Sequence, residues 1–251
     1  MSTITRVTPV ACLVIFHCLA GQENLATAQL IADSVAQFSG TQSLNGWSYG
    51  YYDGDAPGAY TPADFELLPI FDGTKWLIED TSFSTGPPPH GYWTRLTATG
   101  GHPNGIVTTS AISADHWAVR RWSNTQPAIY TLSGILADDS PAIGQPGFTY
   151  NGVVGHIFVD GAEVLTLPIN EGGSVNYSLT KQLNAGSTID FAIDGKKLPN
   201  QERTSDWTDT TTFTIQIFVP EPSTISIVCT AFPALSARNL RSPVRRMQRL
   251  A

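Results

Sequence analysis

The sequence predicts an all-β protein, built as a single β-sandwich or jelly roll of roughly ten to twelve strands. In the middle of the 251-residue chain, apolar residues alternate with polar ones or cluster in short β-branched and aromatic runs. Both patterns are typical of strands. Glycine, proline, asparagine and aspartate separate the runs, as expected of turns. No internal repeat and no linker precedes Pro220, so one domain accounts for the pattern.

Twelve runs fit short strands. They are Trp47 to Tyr52, Phe65 to Phe71, Lys75 to Ile78, Tyr92 to Leu96, Ile106 to Thr109, His116 to Trp122, Ile129 to Leu136, Val153 to Val159, Glu163 to Leu167, Ser174 to Leu179, Thr188 to Ile193 and Thr210 to Val219. Leu30 to Phe38 has apolar residues near helical spacing and fits either a short helix or an edge strand.

Several turns are predicted from residue pairs that tolerate positive φ. Asp160-Gly161, between two predicted strands, indicates a two-residue hairpin. Asn45-Gly46, Asp53-Gly54 and Asp72-Gly73 suggest turns for the same reason. Residues 85–90 contain three consecutive prolines, which predicts an irregular surface loop.

The first 28 residues predict a secretory signal peptide. Arg6 supplies the basic start, Val10 to Ala20 the apolar segment, and Ala26-Thr27-Ala28 a small-x-small cleavage site. We therefore expect cleavage between Ala28 and Gln29, with the Sec machinery and signal peptidase as partners. A cut after Ala20, or a buried apolar helix instead of a signal, are the alternatives.

The last 33 residues have three parts. The motif Val219-Pro220-Glu221-Pro222-Ser223-Thr224 is followed by an apolar run over residues 225–235 and a basic tail over 236–251. The arginines of the tail are Arg238, Arg241, Arg245, Arg246 and Arg249. In order and spacing this resembles the PEP-CTERM sorting signal of Gram-negative bacteria. The resemblance implies an exosortase as partner, with a cut near the Pro-Glu-Pro motif and Val219 to Ser223 as the processing residues.

The apolar run predicts transient membrane engagement. It has about 11 residues, roughly 16 Å as a helix, against a hydrocarbon core of about 30 Å. It also contains Pro233, which would kink a helix. The arginines should stay on the cytoplasmic side. We expect an exported protein of the cell envelope or medium. A disordered tail is the alternative.

The domain between these ends, residues 29–218, has a composition that limits its partners. Between Gln29 and Val219 there are 19 acidic and 8 basic residues, a net charge of −11. This excess argues against nucleic acid, which requires clustered Lys and Arg. Cys12, Cys18 and Cys229 all lie in the terminal segments, so the domain must be stable without disulfides.

Catalytic motifs are absent from the sequence of this domain. It has no zinc-protease pair, phosphate loop or nucleophile elbow. Ser178-x-x-Lys181 is a chance match at the end of a predicted strand, and His90, His102, His116 and His156 are scattered. We therefore expect no enzyme, no metal and no other cofactor. Three acidic pairs could alternatively hold a structural Ca²⁺: Asp53 and Asp55, Asp138 and Asp139, and Asp206 and Asp209.

Aromatic residues are the most suggestive functional feature. Alternation places Trp47, Tyr49 and Tyr51 on one face of a strand. Such a row can stack on sugar rings, or it can belong to the core, which we favour. The candidate ligand-binding residues are Trp47, Tyr49, Tyr51, Trp93, Trp117 and Trp122. One of Arg120 and Arg121 must point inward, where we expect an internal ion pair or a ring stack.

Three segments resemble carbohydrate-binding-module-type jelly rolls of secreted bacterial proteins. They are the Trp-Ser-Tyr-Gly-Tyr-Tyr-Asp-Gly opening at 47–54, Ala-Val-Arg-Arg-Trp at 118–122, and Ile-Asp-Phe-Ala-Ile-Asp at 189–194. The resemblance implies a non-catalytic protein that binds extracellular polysaccharide or matrix. The alternatives are a polysaccharide lyase or hydrolase on the same fold, and a structural matrix protein that associates with itself.

Overall fold

The computed structural model describes residues 28–54, 62–79, 91–105, 112, 114–139, 152–195 and 209–220. All of them belong to one compact unit, Ala28–Glu221. The predicted signal peptide up to Thr27, the sorting tail from Glu221, the prolines at 87–89 and the strand Ile106 to Thr109 lie outside these ranges. Those predictions stay predictions. Within the described ranges, no helix is long and apolar enough to cross a membrane.

Strands make up most of the described residues, which confirms the all-β prediction. In chain order the strands are β1 (Ala28–Asp33), β2 (Trp47–Asp53), β3 (Phe65–Leu67), β4 (Ile70–Phe71), β5 (Trp76–Leu77), β6 (Arg95–Leu96), β7 (Gly100–His102), β8 (His116–Ser123), β9 (Ala128–Asp138), β10 (Val153–Val159), β11 (Ala162–Pro168), β12 (Ser174–Leu183), β13 (Thr188–Gly195) and β14 (Thr211–Pro220). A single 3-10 turn, Pro62–Asp64, precedes β3.

Two antiparallel sheets form a β-sandwich. The eight-stranded sheet has the order β12-β9-β14-β7-β6-β5-β4, with β1 also paired to β14, and the six-stranded sheet has the order β11-β10-β13-β8-β2-β3. Alternation along β13 shows how the core forms. Ile189, Phe191 and Ile193 point inward to the main cluster, and the Phe191 ring meets Phe213 of the opposite sheet at 6.0 Å. The intervening residues of β13 point to the outer face.

The turn predictions at Asp160-Gly161, Asn45-Gly46 and Asp72-Gly73 are confirmed. Asp160 and Gly161 have φ values of 47° and 87° and join β10 to β11 in a hairpin. Asn45 and Gly46 have φ values of 54° and 83° and lead into β2. Gly73, between β4 and β5, has a φ of 99°.

Two details of the sequence prediction are corrected, and one open alternative is decided. Of the two structures predicted for Leu30 to Phe38, its first part forms the edge strand, β1, and Asp33 then accepts hydrogen bonds from the N–H groups of Val35 and Ala36 in a turn. The predicted strand Phe65 to Phe71 is two strands, because Pro69 between them has no N–H to donate. Strand β7 was not predicted at all, and with it the described ranges hold fourteen strands, more than expected.

Candidate functional site

One end of the sandwich brings the two ends of the domain together. Strands β1 and β14 pair antiparallel up to Ala28 and Pro220, which are register partners. Strand β9 begins at the same end, opposite the last residues of β12 and β14. We call this end the terminal pole. Its loops include residues 43–46, before β2, and 124–127, between β8 and β9.

A pocket of about 490 Å³ opens at the terminal pole. Its volume falls within the range of about 300–1,000 Å³ that is common for small-molecule sites. Four separate segments of the chain line it. The lining residues are Gln29, Ile31, Asn45, Gly46, Trp122, Ser123, Thr125, Gln126, Ala128, Tyr130 and Val219.

The floor of the pocket is aromatic and rigid. Trp122 and Tyr130 are 6% and 3% exposed, and their rings meet edge to face at 5.7 Å. The Tyr130 hydroxyl donates to the backbone carbonyl of Gln126 at 2.7 Å, which ties the floor to the 124–127 loop. Ile31 and Val219 extend the apolar surface. The floor therefore offers a ligand only the small exposed parts of these two rings, together with the apolar surface of Ile31 and Val219.

The rim of the pocket is polar but uncharged. It carries the amide side chains of Gln29, Asn45 and Gln126 and the hydroxyls of Ser123 and Thr125. None of the eleven lining residues is an acid, a lysine, an arginine or a histidine. Amides and hydroxyls both donate and accept hydrogen bonds. The pocket is thus matched to an uncharged molecule that has apolar surface and many hydroxyl groups.

The Asn45-Gly46 turn sets the position of one rim amide. Both residues have positive φ, a region that asparagine and glycine tolerate best. Gly46 accepts a hydrogen bond from the N–H of Ser123 at 3.0 Å. A Cβ on Gly46 would lie only 2.7 Å from the Ser123 carbonyl oxygen. Glycine is therefore required at this point for the turn to pack against the end of β8.

The structure places the predicted aromatic row in the core. Trp47 and Tyr49 have no exposed surface; the Trp47 indole donates to Gln37 at 2.9 Å, and Tyr49 stacks on Trp76 at 5.7 Å. A side chain without exposed surface cannot stack on a sugar. The interpretation of the row as a sugar-stacking surface is therefore wrong for these two residues, and the core interpretation is confirmed. Tyr51 is half-buried, and its hydroxyl donates to Glu66 at 2.7 Å.

The remaining predicted ligand-binding residues occupy three different places. Trp93 is half-buried, with the Arg95 guanidinium 5.5 Å from its ring. Trp117 lies on the outer face of the six-stranded sheet, where it stacks on His156. Only Trp122 lines the terminal pocket. Sequence reasoning missed Asn45, Gln126 and Tyr130, because loop amides and a lone inward tyrosine give no periodic signal; the Asn45-Gly46 turn was the one available hint.

The outer face of the six-stranded sheet carries a cluster of ionisable groups around His156. The imidazole lies parallel to the Trp117 ring at 4.4 Å. Its Nδ1 is 2.6 Å from Glu163, and its Nε2 is 3.7 Å from Asp194. Burial disfavours the charged imidazole, but the two carboxylates outweigh it and hold the pKa of His156 above its usual value of 6.5. Burial opposes ionisation of Glu163 as well, yet His156 and Thr166 hold its pKa below 4.5.

These shifts predict how His156 affects stability at different pH. A base whose pKa is raised in the folded state stabilises the fold at pH values below its unfolded-state pKa, and this stabilisation is lost as the pH rises through the folded-state pKa. An acid whose pKa is lowered stabilises the fold above its unfolded-state pKa, and this stabilisation is lost as the pH falls. We expect His156→Gln to cost the most between about pH 4.5 and 6.5, and no more than about 1 kcal/mol because Glu163 is exposed. Denaturant unfolding of both proteins from about pH 4 to about pH 9 measures the difference. A pH-independent difference would contradict the ion pair.

The two adjacent arginines of β8 point to opposite faces, as alternation predicts. Arg120 points inward, but its guanidinium donates to backbone carbonyls of Thr97, Gly100 and Phe213, so the expectation of an internal ion pair or ring stack for the inward arginine is wrong. Arg121 on the outer face has the carboxylate instead. It donates to Asp190 at 2.6 and 2.8 Å.

His102, His116 and Asp138 have structural surroundings, and His90 lies outside the described residues. The Nδ1 of His116 is 3.0 Å from the hydroxyl of Thr94, a residue with no exposed surface. Burial and the nearby Arg95 lower the pKa of His102 to about 3. Asp138 accepts a hydrogen bond from the N–H of Gly172. In the part of the chain that the structure describes, no three His, Cys, Asp or Glu side chains converge as metal ligands do; Asp55 and Asp206 lie outside that part.

Comparison with known proteins gives only distant similarities. No known protein family matches the chain, and no curated protein matches it. Among solved structures, it is similar to rabbit GITRL at 17% identity, over 40% of this chain and 69% of that one, with a TM-score of 0.25.

Two further solved structures are carbohydrate-binding modules. A family 35 module from Clostridium thermocellum is 10% identical, over 47% of this chain and 88% of that one, with a TM-score of 0.26. A CBM35 from Paenibacillus barcinonensis is 14% identical, over 58% and 98% of the two chains, with a TM-score of 0.23. At such TM-scores the likeness says nothing about what this chain binds, and the function has to be argued from the pocket itself.

Proposed function

We propose that the chain is an exported, non-catalytic binding protein that holds an uncharged part of an extracellular polysaccharide in the terminal pocket. The observation that carries this proposal is the composition of the pocket: a buried aromatic floor beneath a rim of uncharged amides and hydroxyls. A sugar ring has an apolar face of C–H groups and an equatorial belt of hydroxyls. The floor and the rim complement these two features separately.

Electrostatics favour a neutral ligand over an acidic one. The domain carries 19 acidic and 8 basic residues between Gln29 and Val219, so its field repels polyanions. The lining supplies no lysine or arginine to hold a carboxylate or sulfate. Neutral oligosaccharides should therefore bind better than uronic-acid polymers.

The same composition supports binding rather than catalysis. Glycoside hydrolysis uses two carboxylates that flank the scissile bond, and the pocket lining contains no carboxylate. The described groups with acid–base character lie elsewhere. The clusters around Asp190 and His156, for example, lie on the outer face of the six-stranded sheet, where Asp190 is 1% exposed.

Export is part of the proposal and rests on the two ends of the sequence. The signal-like segment up to Ala28 and the sorting motif from Val219 flank the domain. Such a chain would meet polysaccharide in the cell envelope or the medium. An exported domain also fits a fold that uses no cysteine.

Two rim substitutions test the site without disturbing the core. Asn45→Gly keeps the positive φ of the turn and removes only the amide, and Gln126→Ala removes an exposed amide next to the floor. We expect each to weaken binding of a neutral oligosaccharide about tenfold, the loss of one or two hydrogen bonds. Isothermal titration calorimetry with the strongest ligand from an array of neutral and acidic oligosaccharides measures this.

A matched control is Asn176→Ala, an exposed amide on the outer face of β12 away from the pole. It should bind like the unmodified protein. The site is wrong if no neutral oligosaccharide binds, or if both rim variants bind as well as the control. Release of new reducing ends during the titration would contradict the non-catalytic part of the proposal.

A further inference from the structure

The terminal pole also concentrates exposed apolar side chains. The described ranges contain five large apolar residues with high exposure, and three of them, Leu30, Leu44 and Ile129, lie at this pole at 46%, 46% and 50%. Each is the chain neighbour of a residue that lines the pocket. Leu30 is also the register partner of Phe218 on β14. All three residues therefore lie at the pole, but Leu30 and Ile129 point away from the pocket, because they alternate with the lining residues on either side of them.

Both ends of the domain lie at this pole, and in the sequence each end is followed or preceded by an apolar segment. Ala28 and Pro220 are paired; the apolar segment 10–20 ends eight residues before Ala28, and the run 225–235 begins five residues after Pro220. Five extended residues reach at most about 18 Å. If the run 225–235 engages a bilayer, the pole must therefore lie near the lipid headgroups.

We propose that the terminal pole is a bilayer-contacting surface, with Leu30, Leu44 and Ile129 inserted among lipid headgroups while the tail is attached. The partner is a lipid surface rather than another protein, because the run 225–235, which follows the pole closely in the sequence, is itself apolar. The acid excess of the domain makes zwitterionic lipid the favoured kind. Together with the proposed function, this geometry means that the pocket faces lipid before the tail is cut and faces polysaccharide afterwards.

The test uses the full chain with phosphatidylcholine vesicles and amide hydrogen exchange. Vesicles should slow exchange in segments 43–46 and 124–130 at the pole. Exchange in residues 170–173, which connect β11 to β12 at the opposite end, should not change. A domain that is attached only through a tail would leave both regions unprotected, and that result would overturn the proposal.

Variants give a second measurement. The double substitution Leu44→Ser and Ile129→Ser should lower the vesicle partition coefficient about tenfold, as expected for two half-buried apolar side chains. The matched control is Leu67→Ser, since Leu67 is 51% exposed but lies on β3 of the other sheet; it should partition like the unmodified chain. Equal partition of all three proteins would overturn the proposal.

Self-association and failure of the proposed function are both separable from this result. If amide exchange at the pole is already slow without vesicles and sedimentation velocity shows a dimer, the surface is an interface with a second copy of the chain. That result would overturn the lipid assignment. Oligosaccharide affinity measured without vesicles tests the proposed function alone. It can fail while the lipid contact stands, and the reverse is equally possible.

Discussion

Replacing Asp190 with alanine is expected to lower the free energy of unfolding by about 3–5 kcal/mol, the range for breaking a buried ion pair from one side. Asp190 is 1% exposed and accepts two hydrogen bonds from Arg121 at 2.6 and 2.8 Å. It accepts a third from the Tyr52 hydroxyl at 2.6 Å. Burial and the Asp190 charge raise the pKa of that hydroxyl, so it stays a donor. Alanine removes the acceptor, which leaves the buried Tyr52 hydroxyl without its partner and the partly buried Arg121 without its carboxylate.

The chain supplies a control for this prediction on the same strand. Tyr51 donates to Glu66 at 2.7 Å, the same chemical contact at an exposed site. We expect Glu66→Ala to cost about 1 kcal/mol or less, as for surface pairs. Guanidinium unfolding at neutral pH, with equal m-values required for comparison, measures both. If Asp190→Ala cost no more than Glu66→Ala, the buried network would not stabilise the sandwich.

The pair of arginines shows what the sequence could and could not predict. Alternation along β8 predicted that Arg120 and Arg121 point to opposite faces, because the period of a strand is two. It could not predict which one meets a carboxylate. Asp190 is 69 residues away from Arg121 and becomes its neighbour only through the register of β13 on β8. Such pairing depends on strand order, which local patterns do not contain.

Strand β7 illustrates a second limit. Its sequence, Gly-Gly-His, has no apolar alternation and no β-branched residue. The glycine is required by the partner strand, since a Cβ on Gly100 would lie 1.7 Å from the Thr211 carbonyl oxygen. By contrast, the hairpin at Asp160-Gly161 was predictable because its signal is contained in two adjacent residues. Local chemistry is visible in the sequence, and tertiary contact is not.

The terminal pocket was beyond sequence reasoning for the same reason. It is assembled from β1, the turn before β2, the end of β8, the start of β9 and the end of β14. Only Trp122 was a predicted ligand-binding residue, and it was selected for being aromatic rather than for its position. Trp47 and Tyr49 were equally aromatic but lie at inward positions of β2 that are fully covered.

Arg120→Ala is the second substitution with a large expected effect. The guanidinium is 2% exposed and donates to carbonyls of Thr97, Gly100 and Phe213, so it joins β8 to the facing sheet. Burial lowers the pKa of Arg120 to about 10, which leaves it charged at neutral pH. Its removal takes one hydrogen bond from each of these carbonyls, of which Gly100 keeps the bond from the Thr97 N–H, and it adds a cavity. We expect a total loss of about 4 kcal/mol.

Comparison of three variants separates the carbonyl effect from the cavity effect. Arg120→Met fills most of the volume but donates nothing, so it should recover only the cavity part, about 1–2 kcal/mol. Arg95→Met is the control, because Arg95 is only half-buried and should lose about 1 kcal/mol or less. Equilibrium unfolding gives all three free energies. If Arg120→Met were as stable as the unmodified chain, loss of the hydrogen bonds to these carbonyls would not lower the free energy of unfolding. The contribution of Arg120 to stability would then come from something other than its hydrogen bonds across the core.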